Sequence, residues 1–80
     1  MSIRRRYNQC FMDLFQVSED VLPELEYQSI KAWDSVGHMN LISIIEEEFD
    51  IEMDIDDITE FSSFDKGKYI VSKYGVSLNE

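Results

Sequence analysis

Val36, Met39, Ile42, Ile45 and Phe49 recur every three or four residues, with Leu41 and Ile44 beside them. That spacing lines up along one side of a helix, whereas the faces of a strand alternate at every second residue. A helix from Val36 to about Phe49 commits a chain of this size to a helical core. The 80 residues are expected to form one domain, 1–80. A domain so small buries only about 60% of its unfolded surface. The hydrophobic fraction of 44% suffices for one small core.

Three more helices follow from the same spacing. The first is expected from about Ile3 to Val17, with Ile3, Tyr7, Cys10, Phe11, Leu14 and Phe15 near one face, and Ser18-Glu19-Asp20 interrupting it. A long connection then runs from Ser18 to Trp33. Pro23 discourages helix through its centre, and Val21, Leu22, Leu25, Ile30 and Trp33 are available to pin it to the core. A short third helix is expected from Asp56 to Phe61, with Asp56 and Asp57 near its positive end. The stretch Ile51 to Asp54 alternates too briefly for a strand. The last helix is expected from Ser63 or Phe64 to Tyr74, capped by Ser62 or Ser63 and stopped at Gly75. Its inner stripe would be Phe64, Gly67, Ile70, Val71 and Tyr74, where Gly67 costs stability unless another element approaches closely. The expected fold is all-α: a small antiparallel four-helix bundle of three main helices, a short third helix as a minor lid, and a long first loop. Its core would centre on Phe11, Phe15, Ile42, Ile45, Phe49, Ile70 and Val71.

The formal net charge is −10. No Lys or Arg lies between Lys31 and Lys66, while eleven acids do, among them Asp34, Glu46, Glu47, Glu48, Asp54, Asp57 and Glu60. An acidic chain repels nucleic acid phosphates and anionic lipid, which disfavours both as partners. It favours partners with basic docking patches. Glu46, Glu47 and Glu48 fall in the last turns of the second helix, where the helix dipole disfavours negative charge. Local helix physics does not account for them, and a partner-binding role would.

Several function classes are excluded. Cys10 is the single cysteine, so no internal disulfide forms, and no second thiol or histidine stands at metal-ligand spacing. A small buried residue on the first helix is its expected role. A calcium loop counted from Asp50 places Ile55 and Phe61 where glycine and a bidentate glutamate are required, and a count from Asp54 places Thr59 and Asp65 there. No apolar run approaches the roughly 20 residues of a membrane span. The opening Met1-Ser2-Ile3-Arg4-Arg5-Arg6 is followed by residues too polar for a signal peptide. A cytoplasmic monomer is expected.

Trp33-Asp34-Ser35-Val36-Gly37-His38-Met39 carries the chemistry. An Asp-Ser pair opens the long second helix, and either residue has the oxygen to cap it. With Glu46-Glu47-Glu48-Phe49 closing that helix and an acidic segment plus short helix after it, the chain resembles acyl carrier proteins from about Ile3 to Tyr74. The resemblance implies that Ser35 is the attachment point of a 4′-phosphopantetheine arm. A phosphopantetheinyl transferase would place it there from coenzyme A. Asp34 would support the modification by helping to orient Mg²⁺ in the transferase complex. The arm would carry acyl groups as thioesters, and the chain itself would perform no catalysis. Val36, Met39, Glu46 and Glu47 match the family's docking positions for an acyl-ACP ligase or synthase and for acyltransferases.

The chain departs from the common fatty-acid pattern. Val36 stands where leucine is usual, and Gly37 and Asn40 stand where acids are common. These departures imply a specialised lipid, polyketide or other secondary pathway. Phe61 and Phe64 either narrow an acyl cleft or fill the core. His38 is either a pH-sensitive contact near the helix tip or a partly packed side chain, and nothing marks an acid and oxyanion site that would make it a hydrolase base for Ser35. Two other readings stay open: a non-covalent acidic interaction module, and an aminoacyl or peptidyl carrier. Peptidyl carriers often place glycines before the serine, where this chain has Ala32-Trp33-Asp34.

Overall fold

Ser2, Asp34, Asp54 and Ser63 each stand one residue ahead of an α-helix and accept a backbone N–H three positions on, at 2.8–3.1 Å. A helix leaves its first amides without intrahelical acceptors, and a short oxygen-bearing side chain at this position supplies one. The structure, a computed structural model, describes residues 2–78. These caps open α1 (Ile3–Phe15), α2 (Ser35–Phe49), α3 (Ile55–Glu60) and α4 (Phe64–Ser72). A 3₁₀ helix, Glu19–Glu24, lies between α1 and α2. The fold is all-helical, with no strand among the described residues. α1 packs against α2 and the 3₁₀ helix, which also touches α4.

Phe11 organises the core. Its ring lies 5.0–6.3 Å from those of Tyr7, Phe15, Trp33, Phe61 and Phe64. Aromatic pairs at such separations add about 0.5–1.5 kcal/mol beyond their buried area. Phe61 and Phe64 are therefore core residues. Tyr7 is fully buried, and its hydroxyl donates to the Phe64 carbonyl at 2.7 Å. Gly67 permits this packing, because a Cβ there would sit 2.2 Å from Phe61 Cζ and 2.4 Å from the Tyr7 hydroxyl.

Several sequence expectations need correction. α1 stops at Phe15, two residues early, because Gln16 turns left-handed (φ 56°) and returns its N–H to Met12. α4 ends at Ser72 rather than Tyr74. The centre of the connection after α1 is helical after all: Pro23 sits inside the 3₁₀ helix, where one missing donor is tolerated over so short a length. Leu22, Leu25 and Trp33 pin the connection, and all three are buried. α3 begins one residue early, at Ile55.

The face of α2 differs most. The buried residues are Gly37, Leu41, Ile42 and Ile45. Val36 is 69% and Met39 52% exposed, and Phe49 is only partly buried. Apolar residues surround much of this helix, so spacing alone admits two phases. The buried Trp33 and the cap at Asp34 select the phase that turns Val36 and Met39 outward.

Candidate functional site

The turn that delivers Ser35 is fixed before the helix starts. Trp33 is fully buried, and its backbone closes two turns, N–H to Ile30 at 3.1 Å and carbonyl from Gln28 at 2.9 Å. Asp34 follows in extended geometry, accepts Gly37 N–H through Oδ1 at 2.8 Å, and takes His38 N–H on its carbonyl at 2.8 Å. Asp34 is thus the cap, and Ser35 is the first helical residue. The Ser35 side chain is exposed, and its hydroxyl lies 3.2 Å from that of Tyr27. The amides of Ser35 and Val36 precede the first intrahelical acceptor, and the positive end of the α2 dipole adds to them.

Gly37 is a packing residue. It is buried, and a Cβ there would lie 1.9 Å from the Ala32 carbonyl oxygen. The close approach of the Ala32 turn excludes any side chain at this position, acidic ones included.

His38 is partly packed and bridges two elements. Trp33 Nε1–H donates to its Nδ1 at 3.0 Å, and its Nε2 lies 2.8 Å from the Ile58 carbonyl of α3. An indole only donates and a carbonyl only accepts, so Nε2 carries the proton and Nδ1 the lone pair. Both ring nitrogens are committed, and no Ser35–His38 nucleophile–base pair is assembled.

A pocket of about 480 Å³ opens between the start of α2 and α3. Ser35 and Tyr27 stand among its lining, Met39, Ile55 and Ile58 supply much of its apolar wall, and His38 and Phe61 also face it. A larger cavity of about 570 Å³ lies elsewhere, against Arg4, Lys68, Tyr69 and residues 75–78. It brings no reactive pair together, so the smaller pocket beside Ser35 is the better candidate.

The other expected site residues are placed as follows. Val36 and Met39 are exposed near Ser35. Glu47 is exposed, and Glu46 is half-buried with Oε2 accepting Met53 N–H at 2.8 Å. Arg6 pairs with Glu48 at 2.7 Å and donates to its carbonyl at 2.6 Å. A local bond to the turn after α2 therefore engages Glu46, and a tertiary one to Arg6 engages Glu48, both of which helix physics left unexplained. Cys10 is buried, and burial, reinforced by Glu48 and Asp13, pushes its thiol up to about 12.

Sequence reasoning missed three residues here. Ile55, 77% exposed, adds an apolar side chain beside the pocket. An isolated isoleucine among acids was the available signal. Tyr27 is held because Glu26 bridges Ser63 and Tyr27 N–H donates to the Ser62 carbonyl at 2.9 Å. Only the fold brings those segments together. Asp57, placed by sequence near the positive end of α3, is buried, with Lys73 Nζ at 2.6 Å and the Tyr74 hydroxyl at 2.5 Å. The Lys73 hydrogen bond, then that of Tyr74, holds its carboxyl below the usual range.

Among the described residues, no three His, Cys, Asp or Glu side chains are grouped to hold a metal ion, and no helix is long and apolar enough to cross a membrane. No protein-family model matches the chain, and neither a curated protein nor a solved structure was found similar to it.

Proposed function

We propose that this chain is an acyl carrier protein, bearing acyl intermediates as thioesters on a 4′-phosphopantetheine arm at Ser35 and presenting them to partner enzymes of a specialised pathway. One observation carries the reading. The Ser35 hydroxyl is exposed at the first position of the longest helix, released from capping by Asp34, at an apolar pocket. The antiparallel bundle of three main helices with α3 as a lid belongs to the same proposal.

The residues present fit the group. An accessible hydroxyl on a rigid helix start is the acceptor the transfer needs, and the free amides at that helix end favour a phosphate. In the transfer, Ser35 Oγ forms a new bond to the phosphorus of the pantetheine-bearing phosphate of coenzyme A. The bond from that phosphorus to the adenosine bisphosphate half breaks, and the hydroxyl proton leaves to a base on the transferase. The attached arm supplies a terminal thiol that holds cargo as a thioester. The contribution of the chain is position: a tether raises the local concentration of cargo at each partner site. Exposed Val36, Met39 and Ile55, with Glu47 beyond them, offer the partners an apolar patch edged by negative charge.

Intact-mass measurement after incubation with coenzyme A and a broad-specificity phosphopantetheinyl transferase tests the proposal. The wild-type protein gains one phosphopantetheine mass, and Ser35→Ala gains none. The exposed patch also favours a non-covalent interaction module, and a wild-type protein left unmodified by several such transferases transfers the reading to that module.

A further inference from the structure

Tyr27 sets a phenol hydroxyl beside the proposed attachment oxygen. Its hydroxyl lies 3.2 Å from Ser35 Oγ. Its backbone is pinned by the bond to Ser62 and by the adjoining Glu26–Ser63 bridge, and Leu25 on the same segment accepts Phe64 N–H at 3.0 Å. Its ring packs edge-on against His38 at 5.5 Å, and His38 is itself held by Trp33 and Ile58. The tyrosine is therefore set in place from three directions, while its hydroxyl meets that of Ser35. Nothing in the core needs that hydroxyl, because Tyr27 is partly exposed and its ring contact survives without it.

We propose that Tyr27 is a positioning residue for modification of Ser35: its hydroxyl holds Ser35 Oγ at the pocket mouth for transfer, and it donates to the phosphodiester once that ester has formed. This rests on the carrier reading above. A phenol is a neutral donor and acceptor. It can partner the serine hydroxyl before transfer. Afterwards the ester oxygen has lost its proton and is a poorer acceptor, and the anionic phosphate oxygens beside it are stronger ones. The hydrogen bond changes partner without moving the backbone that carries it.

Tyr27→Phe removes one partly exposed oxygen and is expected to melt like wild type. Phosphopantetheine transfer to the variant is expected to slow about three- to tenfold in kcat with KM unchanged, the size of one neutral hydrogen bond. In the purified modified proteins, the ³¹P resonance of the phosphodiester is expected to differ between wild type and Tyr27→Phe, a readout that a purely structural tyrosine would not move. Within the wild-type protein, modification is expected to shift the ring ¹³Cζ resonance of Tyr27 and leave that of Tyr69 in place. Equal transfer rates, or a phosphorus resonance unmoved by the substitution, overturn the role of Tyr27 and leave the carrier reading standing. A wild-type protein that accepts no phosphopantetheine overturns both.

Discussion

Asp34 and Ser35 divide two tasks that either side chain is chemically able to perform. The carboxylate takes the amide of Gly37, so the serine hydroxyl is not consumed in holding its own helix. Asp34→Ala should therefore cost about 1 kcal/mol of stability, the usual value of an N-cap. Asp34→Asn keeps an oxygen at the same place and should stay within a few tenths of wild type by urea denaturation. If the charge also supports modification, Asp34→Asn slows phosphopantetheine transfer although its stability is preserved, which separates the two roles. Gly37 constrains the same turn from the other side. Gly37→Ala drives a methyl into the Ala32 carbonyl oxygen, a backbone atom that cannot rotate away. A loss of about 1–3 kcal/mol is expected, as for other overpacked sites, and a urea midpoint equal to wild type would show that the Ala32 turn yields freely. The sequence reveals the Asp-Ser pair and its place before a helix. It does not reveal which of the two caps, because both have the oxygen, nor that Gly37 is required, because Ala32 and Gly37 meet only once the turn has closed.

Two helix starts were legible from a capping residue, since Asp34 opens α2 and Ser63 opens α4 at places where the sequence offered two candidates each. Ser2 and Asp54, which cap α1 and α3, carried no such reading, and α3 accordingly begins one residue before the expected Asp56. Helix ends were less so: α1 stops where Gln16 turns left-handed without the glycine that usually marks it, and α4 ends at Ser72 ahead of Gly75, whereas α2 ends at Phe49 as expected. The phase of α2 was hidden by apolar residues on more than one side. The tie between α3 and the end of α4 was hidden by distance along the chain, because Asp57 meets Lys73 and Tyr74 only in the folded protein. This tie has a defined pH window. The Asp57 carboxyl is lowered from 3.8, first by the Lys73 hydrogen bond and then by that of Tyr74. Its contribution is complete above the unfolded value and is lost as pH falls through the lower folded one. The Lys73 amine is raised from 10.5 and the Tyr74 hydroxyl from 10.0, each first by its hydrogen bond to Asp57. Those contributions are complete below the unfolded values and are lost as pH rises through the folded ones. The wild-type advantage in Tm over Asp57→Asn should therefore be constant near neutrality. It should shrink below about pH 4 as the carboxyl titrates. A difference that does not change between pH 7 and pH 2 would mean that the charge of Asp57 contributes nothing to the tie.

The whole molecule handles its charge in a way composition alone does not show. Between Lys31 and Lys66 the chain has eleven acids and no Lys or Arg. The fold brings cations to that interval from both ends: Arg6 to Glu48, Lys66 to Glu60, Lys68 to Asp65 and Lys73 to Asp57. All four ion pairs of the described residues fall on acids of this stretch, and seven acids keep no such partner. Salt acts on both populations with opposite sign. It weakens the ion pairs, most of which are solvent-exposed and so contribute about 0–1 kcal/mol each. It also screens repulsion among the unpaired acids, spread over distances comparable with the Debye length of about 10 Å at 0.1 M. With a net charge of −10, the repulsive pairs outnumber the attractive ones, so screening should win. Tm at pH 7 is expected to rise as sodium chloride is raised from low concentration to several tenths molar, and Arg6→Ala should steepen the rise by unmasking Glu48. A Tm that falls over the same range would mean that the four ion pairs, not the unpaired acids, dominate the electrostatics of the fold.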